Sequence, residues 1–313
     1  MGLLTSPTAS SGITQLADWI ELKALSSSDN NASLQDLVAE LRRGGSTDAV
    51  QEDSEGLVDR GGELTERLAS DAFSEIEDRV VAAGAGYPFD VGTQHIELAS
   101  PADITASTYI FQLLLSSFGV GAGTRSRVRP ERDFEDISLD AARSYLGRNP
   151  HDGSYLFAFP RRTDERSFPE AVDRLSELLG EGGGAKSVRP ARDQKDAHLD
   201  LVVWHGFADR RPGQMIAFGQ CSAGKNWRTR ITGLPDGGSW CQAWMLDPPA
   251  VPPIRMLFVP HRLTEEEWQT RSILGGVLFE RCRIAYHSPK VPERVATRCE
   301  RWVTAALDTN VLA

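Results

Sequence analysis

The chain has 313 residues, and 40% of them are hydrophobic, which is enough for two domains of about 150 residues each. Its longest apolar stretches, at residues 110–115 and 254–259, are far shorter than the roughly 18 residues of a membrane span. No membrane helix is therefore expected, and the first residues lack the basic and apolar segments of a secretory signal. Four cysteines without close pairing indicate a reducing cytoplasm rather than a disulfide framework: Cys221, Cys241, Cys282 and Cys299.

Charge is unevenly distributed along the chain. Residues 1–100 contain 6 Lys and Arg against 18 Asp and Glu, a net charge of −12, whereas the remainder contains 28 against 26, a net charge of +2. The acidity therefore belongs to the first part of the chain. The negative net charge argues against a protein that coats nucleic acid generally. Salt limits the range of charge interactions to about 8–10 Å, so a local arginine-rich groove could still bind phosphate.

The first third of the sequence predicts helices. Apolar residues recur at helical spacing over about 13–25 and 62–83. Ser33 and Asp36 form a capping-box pattern that predicts a further helix start between these two segments. Residues 44–62 are rich in Gly, Asp, Glu and Ser, and predict a mobile connection.

A change in composition predicts a domain boundary near residue 125. Residues 104–118 are strongly apolar and indicate a buried helix, whereas residues 119–133 are rich in Gly and Arg. We therefore divide the chain into a mainly helical, acidic N-terminal domain, residues 1–125, and a second domain, residues 126–313.

The second domain has the pattern of a layered α/β fold. Glycines at its helix ends, Gly147 and Gly180, are typical of left-handed C-caps. The predicted helices cover about 133–147, 167–179, 264–274 and 292–307, and the predicted strands cover 198–204, 214–221, 253–259 and 277–286.

Two neighbouring strands carry polar residues suited to metal-dependent phosphodiester hydrolysis. This chemistry needs a carboxylate that fixes the ion, a second oxygen ligand about one strand away, and a nearby cation. Asp200 lies within an apolar strand, Gln220 ends the next strand after a turn, and Lys225 follows shortly. A hairpin of this length can bring the first two side chains to the same end of a sheet.

Three sequence runs resemble the restriction-endonuclease-like, or PD-(D/E)xK, nucleases of bacterial genomes. They are Lys-Asp-Ala-His-Leu-Asp-Leu-Val-Val-Trp at 195–204, Phe-Ala-Asp-Arg-Arg-Pro-Gly at 207–213 and Phe-Gly-Gln-Cys-Ser-Ala-Gly-Lys-Asn-Trp at 218–227. The resemblance extends over about residues 130–287. It implies an α/β core with a central mixed sheet flanked by helices, preceded here by the helical N-terminal domain.

The resemblance also implies roles for individual residues. Asp200 and Gln220 take the metal-binding positions, with Cys221 as a further candidate ligand, and the implied cofactor is Mg²⁺ or Mn²⁺. The family places a lysine two residues after the Glu or Gln, where this chain has Ser222. Lys225 would then have to reach in from a displaced position.

Other residues complete the expected site. Arg228 or Arg230 could substitute for the missing lysine, and both, with His198, are candidate phosphate contacts. The family often adds a glutamate from a preceding helix, and Glu135 and Glu170 compete for that role.

The resemblance implies a metal-dependent endonuclease that acts on DNA, as an effector in bacterial antiviral defence. The N-terminal domain would contact other defence proteins or a second copy of the chain.

Three other interpretations remain open. Gly219 to Lys225 approaches the phosphate-binding loop Gly-x-x-x-x-Gly-Lys-Ser/Thr, although Asn226 replaces the hydroxyl residue. Cys221 with a histidine could form a cysteine hydrolase, without a recognised local signature. The displaced lysine is also compatible with a catalytically inactive module that binds nucleic acid.

Overall fold

The computed structural model describes residues 6–45, 55–147, 149–161, 167–187 and 196–311. None of the helices in these ranges is long and apolar enough to cross a membrane. The helices are α1 (Ile13–Ser26), α2 (Leu34–Gly45), α3 (Glu55–Ala83), α4 (Thr108–Phe118), α5 (Pro130–Leu146), α6 (Phe168–Leu179), α7 (Trp227–Arg230), α8 (Gly237–Trp244), α9 (Glu265–Gly275), α10 (Arg281–His287) and α11 (Glu293–Asn310). The strands are β1 (Asn31–Ser33), β2 (Phe89–Val91), β3 (His95–Leu98), β4 (Gly153–Leu156), β5 (Gly182–Ala185), β6 (Leu201–His205), β7 (Met215–Cys221), β8 (Met245–Asp247), β9 (Ile254–Phe258) and β10 (Val277–Phe279).

The predicted N-terminal helices are confirmed. The capping box before α2 is present, since the Asp36 N–H donates to the Ser33 Oγ at 3.2 Å and the Ser33 N–H donates to the Asp36 carboxylate at 2.7 Å. The connection predicted through residue 62 is wrong from residue 55 onwards, because α3 already begins there. Its earlier part, residues 46–54, lies outside the described residues.

The centre of the molecule is a five-stranded mixed sheet of order β10-β9-β7-β6-β4. Strands β4, β6 and β7 are antiparallel, whereas β7, β9 and β10 are parallel. The predicted α/β class with a central mixed sheet is therefore confirmed, and β4 is a strand that the sequence did not reveal.

Alternation along β6 explains why both faces of the sheet are covered. Leu201 and Val203 belong to the larger core, which also contains buried residues of α5, α10 and α11. Val202 and Trp204 point to the other face, where they join a cluster with residues of α6 and α8. Successive strand residues face opposite sides, so an apolar run of this kind requires a helix layer on each side.

Two predicted strands end or begin elsewhere. The strand predicted over 277–286 stops at Phe279, because the Glu280 carboxylate accepts the Arg283 N–H at 3.0 Å and so caps α10. The strand predicted from 198 begins at Leu201, because Ala197 and His198 adopt left-handed backbone angles, with φ of 52° and 62°.

The predicted N-terminal domain packs closely against the C-terminal helices. Residues of α1, α4 and α11 share one buried cluster. At this cluster, the Asp18 Oδ1 of α1 forms ion pairs with the Nη1 atoms of Arg79 in α3 and Arg281 in α10, each at 2.7 Å. The division of the chain near residue 125 stays a prediction, but these two parts share a core and a buried ion-pair network.

Candidate functional site

Asp200 lies where β6 begins, next to the end of β7. Its backbone N–H donates to the Gly219 carbonyl at 2.9 Å, and Leu201 pairs with Gly219. The antiparallel register therefore places Asp200 opposite Gln220. The Asp200 Oδ2 accepts the Cys221 N–H at 2.7 Å. The predicted juxtaposition of Asp200 and Gln220 on neighbouring antiparallel chain segments is present.

A cavity of about 650 Å³ opens at this end of the sheet. It brings together most of the residues that the sequence indicated. Those lining it are Asp200, Gln220, Cys221, Glu135, His198 and Arg230.

The electrostatics of this cavity are dominated by carboxylates. Burial is the largest cause that raises the pKa of Asp200 well above its ordinary value, and the Glu135 carboxylate adds to it. The Cys221 N–H works in the opposite direction, and Asp196 adds a smaller repulsion. Asp200 is half-buried and lies near other carboxylates, so a nearby cation would stabilise its charged form.

Gln220 is buried, and its amide group is already engaged by the neighbouring loop. Its Nε2 donates to the Arg230 carbonyl at 3.2 Å, and its Oε1 accepts the Leu234 N–H at 3.2 Å. The side chain therefore fixes residues 230–234 against the end of β7. Metal ligation by Gln220 would use the second lone pair of an oxygen that already accepts one hydrogen bond.

The two candidate helical glutamates lie apart. Glu135 on α5 lines the Asp200 cavity. Glu170 is exposed in the first turn of α6, where its N–H donates to the capping Ser167 Oγ at 3.3 Å, and it is not among the residues that line this cavity. The structure thus favours Glu135 by position.

The candidate cations are divided between two cavities. Arg230 lines the Asp200 cavity, whereas Lys225 and Arg228 line a second cavity of about 500 Å³. Arg228 forms two hydrogen bonds with Glu267, at 2.6 and 2.9 Å. Ser222, where the sequence resemblance would require a lysine, is buried. Of the three cations proposed from the sequence, Arg230 is the one beside Asp200.

Two acidic residues that line the cavity, Glu131 and Asp196, were not identified as candidates from the sequence. Each precedes a chosen acid, Glu135 or Asp200, by four residues. On α5 that spacing places Glu131 and Glu135 on the same helix face, a signal that the sequence offered. Asp196 reaches the cavity through the left-handed turn at Ala197, which the sequence did not predict.

The phosphate-loop interpretation does not match the local backbone. Gly219 lies inside β7 and pairs with Leu201, so residues 219–221 belong to a strand rather than a loop. A Cβ at Gly219 would lie 2.5 Å from the Leu201 Cδ1, so close strand packing accounts for this glycine. Gly224 and Lys225 do lie in the following loop.

The cavity offers only a few oxygen donors, and these suit a hard divalent cation. Among the described residues, no group of three or more His, Cys, Asp or Glu is arranged to hold a metal ion. Mg²⁺ is nevertheless commonly bound by one or two carboxylates, with water and substrate phosphate completing its octahedron. Asp200 and Glu135 provide such a pair.

Comparison of the chain with protein-family models, with curated proteins and with solved structures found no match.

Proposed function

We propose that the chain is a metal-dependent nuclease that hydrolyses phosphodiester bonds of DNA at the Asp200 cavity. One observation carries the proposal: the Glu135 carboxylate of α5 and the Asp200 carboxylate at the start of β6 share one cavity, and the Glu135 charge raises the cost of ionising Asp200. A divalent cation between them would offset this repulsion and would supply a Lewis acid and an activated water.

The remaining residues of the cavity suit a phosphodiester substrate. Arg230 supplies an exposed positive charge for a phosphate group, and His198 a further polar contact. Gln220 positions the loop that carries Arg230 through its bond to the Arg230 carbonyl. The mixed sheet, with Asp200 and Gln220 across an antiparallel pair, is compatible with the restriction-endonuclease-like core that the sequence resemblance implies.

The direct test is cleavage of plasmid, linear duplex and single-stranded DNA with Mg²⁺, with Mn²⁺ and with EDTA. We expect cleavage that requires metal and that falls at least roughly a hundredfold in Asp200→Asn, because the principal ligand is removed. Asp209→Asn is the matched control, since Asp209 lies in the exposed turn of the same hairpin. Cleavage in EDTA, or equal cleavage by Asp200→Asn, would contradict the proposal.

The two glutamates give a second, paired test. Glu135→Gln should lose activity, whereas Glu170→Gln should retain it, because Glu170 is exposed on α6 outside the cavity. The reverse result would move the site away from the Asp200 cavity.

A second candidate function is a nucleic-acid-binding module without catalysis. It is favoured by the place of Lys225, which lines the other cavity while Ser222 stands where the sequence resemblance would require a lysine. DNA retarded in a gel but left uncut with either metal would support this module and refute the nuclease.

A further inference from the structure

The second cavity lies between the N-terminal helices and the loops that follow β7 and β9. Its volume of about 500 Å³ is within the usual range of small-molecule sites, about 300–1,000 Å³. Trp19, Leu22 and Phe118 give it an apolar wall, and most of the remainder is polar: hydroxyl groups, one amide, the His261 ring, four cationic side chains and the Asp18 carboxylate.

The cationic side chains of this cavity differ in how far their charge is neutralised. Three arginines are each paired with carboxylates: Arg228 with Glu267, Arg262 with Glu75 and Arg281 with Asp18. Lys225 is exposed, and within the described part of the chain it has no carboxylate partner within 4.0 Å. Its ammonium group therefore contributes an unbalanced positive charge at the cavity.

Two buried polar atoms at the same cavity also lack partners. The Ser117 Oγ and the His261 Nε2 are both buried and have no hydrogen-bond partner among the described residues. Polar groups removed from water without a partner are costly, and a bound molecule that pairs with them would recover that cost.

His261 can form a hydrogen bond to a ligand at neutral pH. Burial, followed by the positive charge of Arg281, lowers the pKa of His261 to about 4, so the ring is neutral. A neutral imidazole carries one proton, so a ligand hydroxyl group, which both donates and accepts, can pair with the Nε2 in either tautomer.

We propose that this second cavity binds a small phosphate monoester that also carries a hydroxyl or amino donor, as sugar phosphates and nucleotides do. The phosphate group contacts Lys225, whose ammonium suits it as a compact charge. The donor group lies on the His261 Nε2, the Ser117 hydroxyl pairs with the ligand, and the organic part packs against Trp19. This site goes beyond the proposed nuclease activity and does not depend on it.

The experiment is calorimetric titration of the full chain in EDTA, so that the Asp200 cavity holds no metal. The probes are ribose 5-phosphate and AMP, with ribose and adenosine as their counterparts without phosphate. We expect at least one phosphorylated probe to bind with a Kd below about 1 mM, and its counterpart to bind at least roughly tenfold more weakly.

Two substitutions locate the bound molecule. Lys225→Ala should weaken the phosphorylated probe at least roughly tenfold, and Ser117→Ala should weaken it by a smaller factor. The matched control is Lys290→Ala, an exposed lysine 4.0 Å from Asp103 and outside this cavity, which should bind normally.

Three outcomes would overturn this site. They are no binding of either phosphorylated probe at about 10 mM, an unchanged Kd in Lys225→Ala, and a single-stranded oligonucleotide that displaces the probe. The first outcome would mean that ordered water pairs with the Ser117 Oγ and the His261 Nε2. The last would mean that the cavity is part of a nucleic-acid binding surface. None of the three depends on cleavage, so failure of the nuclease proposal is measured separately.

Discussion

The Cys221 backbone N–H donates a 2.7 Å hydrogen bond to the Asp200 carboxylate across the ends of β6 and β7. This bond favours the charged carboxylate, but burial and the Glu135 charge outweigh it and raise the pKa of Asp200. Ionisation of Asp200 therefore carries a cost to folding. Functional sites commonly carry such a cost, because the interaction that offsets it comes from a ligand.

Asp200→Asn should stabilise the chain at pH 8 in the absence of metal. Because the pKa of Asp200 is higher in the folded than in the unfolded chain, stability is lost as the pH rises through the folded pKa. Asparagine removes this titration and can still accept the Cys221 N–H. We expect a Tm higher by a few degrees, roughly 2–4 °C, with the difference closing as the pH falls towards about 4. A lower Tm at pH 8, measured with Asp209→Asn as control, would show that the charge is satisfied within the fold.

Gln220→Glu should destabilise the chain, although glutamate is a usual residue at this position in the family that the sequence resembles. The substitution removes the Nε2 donor and places a carboxylate against the Arg230 carbonyl. Loss of a buried partner costs about 1–3 kcal/mol, which urea unfolding would measure. Gln242→Glu, at an exposed position on α8, should have little effect. An equally stable Gln220→Glu variant would mean that the loop bond is dispensable and would favour a ligand role.

Arg230→Ala and Arg228→Ala should affect DNA binding differently. Arg230 lines the Asp200 cavity, whereas the Arg228 guanidinium is held by Glu267 at 2.6 and 2.9 Å. If DNA binds at this cavity, Arg230→Ala should reduce the slope of log affinity against log salt concentration by the amount expected for about one phosphate contact. Arg228→Ala should leave this slope nearly unchanged. Fluorescence anisotropy of labelled duplex at several salt concentrations, with Ca²⁺ in place of Mg²⁺, measures both. An identical slope in the two variants would remove Arg230 from the phosphate path.

Asp18→Asn should destabilise the chain at neutral pH. Burial opposes the Asp18 charge, but Arg281 and Arg79 outweigh it and lower the pKa of Asp18 to about 2. Breaking a buried ion pair typically costs about 3–5 kcal/mol. A carboxylate whose pKa is lowered on folding stabilises the fold at pH values above its pKa in the unfolded chain, and this effect is lost as the pH falls through its pKa in the folded chain. The difference in unfolding free energy between Asp18→Asn and wild type should therefore shrink between about pH 4 and about pH 2. Denaturant unfolding at pH 7 and pH 3, with Asp29→Asn as exposed control, tests this; an unchanged difference at both would exclude the Asp18 charge as its cause.

The sequence by itself determined the longer helices, the central strands β6, β7 and β9, and the main polar pair of this protein. Apolar periodicity located α1, α3, α4, α5, α6, α9 and α11, and the capping pair Ser33 and Asp36 located the start of α2, whereas α7, α8 and α10 were not predicted. The apolar strands gave the α/β class. The hairpin length placed Asp200 opposite Gln220, because strand register follows from short-range chain geometry.

Only the tertiary structure decided which side chains share a cavity. Glu135 reaches Asp200 because α5 packs on the sheet, and Glu170 does not because α6 covers the other face. The loop after β7 directs Lys225 into the second cavity and leaves Arg230 in the first. The reason is physical: local pattern specifies an element and the direction of its side chains, whereas the distance between two elements depends on which apolar faces pack together.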